Sequence, residues 1–360
     1  MESLAARLRP LLVAAERRRI FPGAVVAAAG RAGRTNIVTA GRLTYAPDSS
    51  AVGPHTIYDI ASITKIVTLT ATLVLAGVGR LRLDDRLGDL LDCATFRNVT
   101  VRQVLAHTAG LRLSLSGLKD RPRPEIEAAI LAAGPVTKPG TQFYYSSQGY
   151  YLLGKALEAV SGQRLADCLR TTVLTPLGMG TTTFNPPAAW RKRIAPTEDD
   201  PRRGGVVCGM PHDESTFALG GVAGHAGLFS TAADLLRLGR LWLHEGTVGG
   251  QPLIRRDLIR ASIEDNFPAA IGTTGFRVQR FALGWGLDDR NYIGSFASPR
   301  AYSLLGFTGP ALTVDPEAGA VIVILNNRVH PTRDGPSRAR CHAAITTAAL
   351  QWLCGAGHRP

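Results

Sequence analysis

The 360-residue chain has no C-x-x-C pair, no G-x-S-x-G serine elbow, and only five lysines among its 41 basic side chains. The five cysteines, Cys93, Cys168, Cys208, Cys341 and Cys354, are odd in number and widely spaced. That usage fits reduced thiols in a cytoplasm, without a disulfide framework or a zinc site. The missing elbow argues against an α/β-hydrolase fold. Long apolar runs are also lacking: Ile66 to Val78 is shorter than a membrane span and carries Thr68, Thr70 and Thr72. The N-terminal stretch "MESLAARLRPLLVAAERRRI" breaks its apolar residues with Arg7, Arg9 and Glu16, so it reads as an amphipathic helix rather than a secretory signal. Internal repeats are absent.

What is present in excess is arginine, which carries most of the formal net charge of +13. The arginines are scattered singly among apolar residues, with short clusters only at Arg17-Arg18-Arg19 and Arg191-Lys192-Arg193. Scattered charge of this kind describes a solvated surface, and no nucleic-acid-binding motif accompanies it. Neither a nucleic acid nor a membrane is therefore expected as partner, and the oligomeric state is not legible.

Two ends of the chain read as β-structure. "GAVVAAAGRAGRTNIVTAGRLT" has two β-like runs around a turn at Gly30 to Gly33. "ALTVDPEAGAVIVILNNRV" has two β-branched runs joined by Asp315 to Gly319, with "AYSLLGFTG" as a further strand before them. The middle is mostly helical. The economical arrangement is an α+β fold with one antiparallel sheet built from both chain ends and flanked by the terminal helices. Residues 1–60 and 285–360 then form the sheet domain, and 61–284 a mainly helical domain with the active site at the junction.

At the mouth of the apolar helix in "DIASITKIVTLTATLVLAGVGRL", Ser62 and Lys65 are three apart and share a helix face. An amine partly removed from water beside a hydroxyl can accept or relay its proton, which activates a weak nucleophile. Asp59 can cap this helix, and free N–H groups at its start can stabilise an oxyanion. The segment also reads as a helix-start serine with a lysine snorkelling from a core helix. Spacing alone does not decide: Ser116 and Lys119 in "SGLK" have the same separation, but in a loop-like context. Further along, a Pro-Gly turn precedes Tyr145-Ser146-Ser147, where a tyrosine near a cation could act as general base. Of Tyr144, Tyr145, Tyr150 and Tyr151, three are expected to be packing residues.

With these pieces in order, "FPGAVVAAAG", "YDIASITKIVTLTATLVL", "VRQVLAHTAGL", "KPGTQFYYSSQGYYLLGKALEAVSG", "HDESTFALGGVAGHAGLFSTAADLLRL", "FALGWG" and "GFTGPALTVDPEAGAVIVILNNRVHPTRD", the chain resembles the serine β-lactamase and penicillin-binding-protein superfamily, in its class C-like branch. The resemblance runs from about residue 20 to 335. It implies Ser62 as acylated nucleophile, Lys65 as its proton partner, Tyr145 as base, and the backbone N–H groups of Ser62 and Phe307 as oxyanion donors. It implies no cofactor and no metal.

Two positions depart from that pattern. Ser147 stands where the family has the asparagine of Tyr-x-Asn, and Leu304-Leu305-Gly306 where it has Lys-Thr-Gly or His-Thr-Gly. Loss of the cation or imidazole and of the hydroxyl removes groups that recognise a carboxylate. The expected substrate is therefore a small acyl compound, an ester or neutral amide, against an apolar Leu304-Leu305 wall, with β-lactam hydrolysis and D-Ala-D-Ala carboxypeptidation disfavoured. An acyltransferase and a catalytically inactive ligand-binding relative are the alternatives. His107 is expected to be structural. "GGVAGHAG", Gly220 to Gly227, lacks a phosphate-loop lysine and is expected to form a tight turn lining the cleft, with His225 reaching substrate. His212, Asp213 and Glu214 are expected in a solvated or hydrogen-bonded loop.

Overall fold

The computed structural model describes residues 2–31, 33–264, 267–268 and 280–355. An amphipathic helix α1 (Leu4–Arg17) opens the chain, with Ser3 accepting the N–H of Ala6 as its cap. It leads into a hairpin, β1 (Gly23–Gly30) and β2 (Thr35–Gly41), in which Ala24 faces Ala40 and Ala29 faces Thr35. From the other end of the chain come β3 (Phe267–Pro268), β4 (Arg280–Phe281), β5 (Gly286–Leu287), β6 (Tyr302–Leu305), β7 (Ala311–Asp315) and β8 (Ala320–Asn326). The eight strands form one antiparallel sheet in the order β3-β4-β5-β6-β7-β8-β1-β2, so the two chain ends meet where β8 pairs with β1. Two of these strands lie before residue 285, where the sheet was expected to resume.

The sheet is covered on both faces, which is why β1 and β8 read as continuous apolar runs rather than alternating ones. Val25, Ala27 and Ala29 of β1, with Val321, Val323 and Leu325 of β8, enter the larger core shared with the helical half. Ala24, Val26 and Ala28, with Ile322 and Ile324, face the opposite way, toward α1 and the C-terminal helix. The period-2 geometry of a strand produces this division. Between the chain ends lie α2 (Thr64–Gly77), α3 (Ser147–Ser161) and α4 (Ala232–Leu243), and the chain closes with α5 (Ala339–Cys354). Helix α4 lies directly on the sheet: a Cβ on Gly239 would stand 2.3 Å from Val321 Cγ1, so glycine is what permits that approach.

A short three-stranded ribbon positions the junction. Tyr58–Asp59 pairs with Leu228–Ser230, which also pairs with Thr183–Phe184. This places the start of α2 against the Gly306–Thr308 segment that follows β6.

Candidate active site

Ser62 sits in a single 3-10 turn, Ala61–Ile63, that runs straight into α2. The turn is entered through Ala61 at φ +45°, a left-handed conformation uncommon for a residue with a Cβ. Asp59 holds that conformation from outside the helix. Its buried carboxylate accepts the N–H of Ala61 at 2.8 Å and the N–H of His212 at 2.7 Å, while its carbonyl accepts from Thr308 Oγ1 at 2.7 Å. Asp59 was expected to cap the helix; it instead braces the turn before it, because the 3-10 segment intervenes. Burial raises its pKa from 3.8 to about 6, the backbone hydrogen bonds opposing that shift.

Lys65 is 1% exposed, and its Nζ donates to Ser62 Oγ at 3.2 Å and to the carbonyl oxygen of His225 at 3.1 Å. It lies 4.8 Å from the centroid of the Tyr145 ring and 5.7 Å from that of Tyr150. Among the described residues no carboxylate ion-pairs with it; the Ser62 hydroxyl, the His225 carbonyl and the Tyr145 and Tyr150 rings stand around the amine. Snorkelling is thus excluded, since the charged end points inward to the serine.

The four tyrosines divide as expected. Tyr150 is fully buried and donates to the carbonyl of Leu105 at 3.2 Å, and burial raises its pKa well above the usual value. Tyr151 donates to Glu127 at 3.0 Å, and the Tyr144 ring carries the Arg112 guanidinium on its face. Tyr145 is half-buried, beside Lys65, and stacks on the His107 imidazole with centroids 4.4 Å apart. His107 Nδ1 accepts the N–H of Ser146 at 3.0 Å, and burial, then the Lys65 charge, hold its pKa well below 6.5. His107 is therefore a neutral ring that fixes the Tyr145 segment, an arrangement the sequence did not disclose. Ser146 caps α3 by accepting the N–H of Gly149 at 3.1 Å, which leaves Ser147 as the first helical residue.

The Gly220–Gly227 segment forms the tight turn expected of it. A Cβ on Gly224 would lie 2.2 Å from the carbonyl oxygen of Tyr150, so glycine lets the turn press onto α3. The carbonyl of Gly224 accepts from Thr68 Oγ1 at 2.8 Å, and that of His225 accepts from Lys65. The expected contact of the His225 side chain with substrate is corrected: the ring is fully buried, with Nε2 at 3.0 Å from Thr216 Oγ1 and 3.4 Å from Asp213 Oδ1. Its contribution at the site is main-chain. Burial alone would raise the Asp213 pKa, but hydrogen bonds from His225 and Ser215 reverse this and lower it.

Leu304 and Leu305 both line one small slot of about 20 Å³ with Phe143, Tyr145 and Phe281, and the acid Asp289 and Ser303 also border it. On β6 successive side chains point to opposite faces, so Leu304 also joins the core that Tyr145 packs against, while Leu305 also packs toward the terminal helices. Gly306 presses onto the carbonyl of Ile60, 2.6 Å from where a Cβ would be, bringing the Phe307 backbone next to the Ser62 turn. The Phe307 ring is 40% exposed and stacks on His212 at 5.5 Å.

Of the two forms expected for the His212, Asp213 and Glu214 segment, the structure has the hydrogen-bonded one. His212 Nε2 is 3.0 Å from Glu198 Oε2, and Arg333 bridges Glu198 at 2.5 Å and Glu214 at 2.7 Å. No group of three or more potential metal-ligating side chains is found among the described residues. No helix of the described residues is long and apolar enough to cross a membrane.

Residues 11–346 match the profile of the Beta-lactamase family, nearly the whole chain. The chain belongs to the Beta-lactamase family. It is 29% identical over 319 residues to a putative D-alanyl-D-alanine carboxypeptidase of Escherichia coli K12, covering 79% of this chain and 71% of that protein. It is 27% identical over 291 residues to penicillin-binding protein 4 of Amycolatopsis lactamdurans, covering 77% and 74%. Among solved structures, EstCE1, a hydrolase with promiscuous acyltransferase activity, superposes with a TM-score of 0.78 at 22% identity, covering 96% of this chain and 98% of that one. Simvastatin synthase LovD of Aspergillus terreus superposes at 0.76 and 19% identity, covering 98% and 99%. These two likenesses establish the fold. The Beta-lactamase family assignment makes the protein a β-lactamase-like serine hydrolase.

Proposed function

We propose that Ser62 is the acylated nucleophile of a hydrolase acting on esters or neutral amides. The observation that carries this is Lys65 Nζ, buried, fixed by the His225 carbonyl and 3.2 Å from Ser62 Oγ. In this mechanism the Lys65–Tyr145 pair enters the step one proton short of ammonium plus phenol and takes up the single hydroxyl proton as Ser62 Oγ bonds to the substrate carbonyl carbon. The carbonyl π electrons move to oxygen, which accepts hydrogen bonds from the Ser62 and Phe307 backbone N–H groups. Collapse expels the alcohol or amine with a proton, and water repeats the attack to release the acid. Leu304 and Leu305, with the acid Asp289 in the same lining, favour an uncharged acyl group over a carboxylate, unlike the substrates in the names of the carboxypeptidase relatives.

Treatment with a fluorophosphonate and intact-mass measurement tests this. One adduct on the wild type and none on Ser62→Ala is expected. No adduct on the wild type, as an inactive ligand-binding relative would give, or an equal adduct on Ser62→Ala, overturns it.

A second reading is acyl transfer to an alcohol or amine. EstCE1, which shares this fold, is named a hydrolase with promiscuous acyltransferase activity, and that name supports the reading. Supplying an acyl ester with and without an added alcohol separates the two by product.

A further inference from the structure

On the terminal-helix side of the sheet, an open pocket of about 980 Å³ lies between α1, the start of α5 and Phe307. Four arginines line it: Arg18, Arg328, Arg338 and Arg340. None of the four forms a salt bridge among the described residues. Arg328 Nε and Arg338 Nη1 instead converge on one neutral acceptor, the carbonyl oxygen of Phe307, at 2.9 and 3.1 Å. Arg328 Nη1 also donates to the carbonyl of Arg333 at 3.2 Å, so among the described residues the acceptors of both guanidinium groups are neutral carbonyls and neither group has a carboxylate counter-charge.

Arg338 is the sharper anomaly. It is 6% exposed, yet its buried Nε has no hydrogen-bond partner. A buried charge lacking a counter-ion is costly, and a buried orphan donor adds to that cost. The same residue begins α5, a 16-residue helix whose positive end faces the pocket. Burial and then the Arg328 charge lower the Arg338 pKa to about 9, and both arginines help burial hold His342 well below its ordinary pKa. The one acid in the lining, Asp289, is engaged by Asn291. Leu11, Ile20 and Tyr292 supply apolar and aromatic wall beside the charges.

We propose that this pocket, which does not include Ser62, Lys65 or Tyr145, is an anion-binding site for a small carboxylate or phosphate oxyanion. Guanidinium forks match both oxyanions bidentately, and the ligand would supply the counter-charge that Arg328 and Arg338 lack. The pocket adjoins the acylation site through Phe307, whose backbone N–H is the proposed oxyanion donor, and Asp289, which also lines the slot beside Tyr145.

The test is calorimetric titration of the wild type with inorganic phosphate and, separately, with butyrate, at constant ionic strength made up with chloride. Saturable binding of at least one is expected, and the tighter arm identifies the oxyanion class. Arg338→Gln is expected to weaken it tenfold or more; Arg328→Gln, read the same way, serves if Arg338→Gln does not fold. Protein carrying the fluorophosphonate adduct is expected to bind within twofold of the free protein. Absence of saturable binding, unchanged binding in the arginine variants, or loss of binding on adduct formation would each overturn the proposal. Should no adduct form, the acyl-enzyme reading fails, while the titrations of untreated wild type and variants still decide the pocket.

Discussion

The His107 imidazole lies against the Tyr145 ring, 4.4 Å between centroids and 30° between planes, while its Nδ1 takes the N–H of the next residue, Ser146. His107 itself is at φ +57°, which asparagine tolerates. His107→Asn is therefore expected to fold, to lose about 1–3 kcal/mol of stability, and to lower kcat/KM by roughly 10-fold to 100-fold through misplaced Tyr145. The pH profile of kcat/KM should keep its limbs. A fall to the level of Ser62→Ala with a lost limb would make His107 a proton carrier instead.

Lys65→Met preserves the buried volume and removes the amine. We expect kcat/KM, and the rate of fluorophosphonate labelling, to fall by about 10²–10⁴. Tyr145→Phe, which keeps the stacking ring, should fall into the same range. A labelling rate unchanged in both variants would mean that Ser62 is activated by something else.

The alternation along β6 sends two adjacent leucines into different cores, yet both line the slot beside Tyr145. Leu304→Ala is expected to enlarge the slot and raise kcat/KM for longer acyl chains relative to short ones. Leu305→Ala, which lines the same slot, is expected to shift that ratio in the same direction. An ester chain-length series read on both variants checks this, and an unchanged ratio in both would remove the slot from acyl recognition.

Burial alone would raise the Glu198 pKa, but the side-chain and backbone hydrogen bonds of Arg333 outweigh it and lower the value from 4.5 to about 2. A carboxyl depressed on folding contributes stability that is present in full above its unfolded pKa. That contribution is lost as pH falls from about 4.5 through about 2, and amounts to roughly 2 kcal/mol after allowance for partial exposure. Urea denaturation of Glu198→Gln should show a flatter stability profile than the wild type between pH 4.5 and 3. Parallel profiles would remove Glu198 from the acid response.

Gly239→Ala places a methyl 2.3 Å from Val321 Cγ1 and 3.2 Å from Leu312 Cδ1. Overpacking costs about 1–3 kcal/mol, against a gain of about 1 kcal/mol in helix propensity. A lowered Tm is expected, and an unchanged or raised one would mean that α4 has room to lift from the sheet.

What could be read from sequence alone was local. Ser62 and Lys65 are one helical turn apart, so their contact follows from periodicity once α2 is recognised. The two hairpins at the chain ends follow from their turns. The contact of Asp59 with His212 spans 153 residues and that of Lys65 with the His225 carbonyl 160, and no local rule pairs them. The role of His107 was hidden for a related reason: stacking on Tyr145 depends on the approach of two loops, not on either segment's composition. The slot that Leu304 and Leu305 line also needs Phe143 and Phe281, which come from distant segments that no local rule brings to the same place.

The acceptor that fixes Lys65 is a peptide oxygen, which every amino acid at position 225 would supply. Exchanging that side chain in the course of divergence need not disturb the amine, whereas lengthening or shortening the Gly220–Gly227 turn by one residue would carry the oxygen away. Descent should therefore conserve the length of this turn more strictly than the identity of its sixth residue.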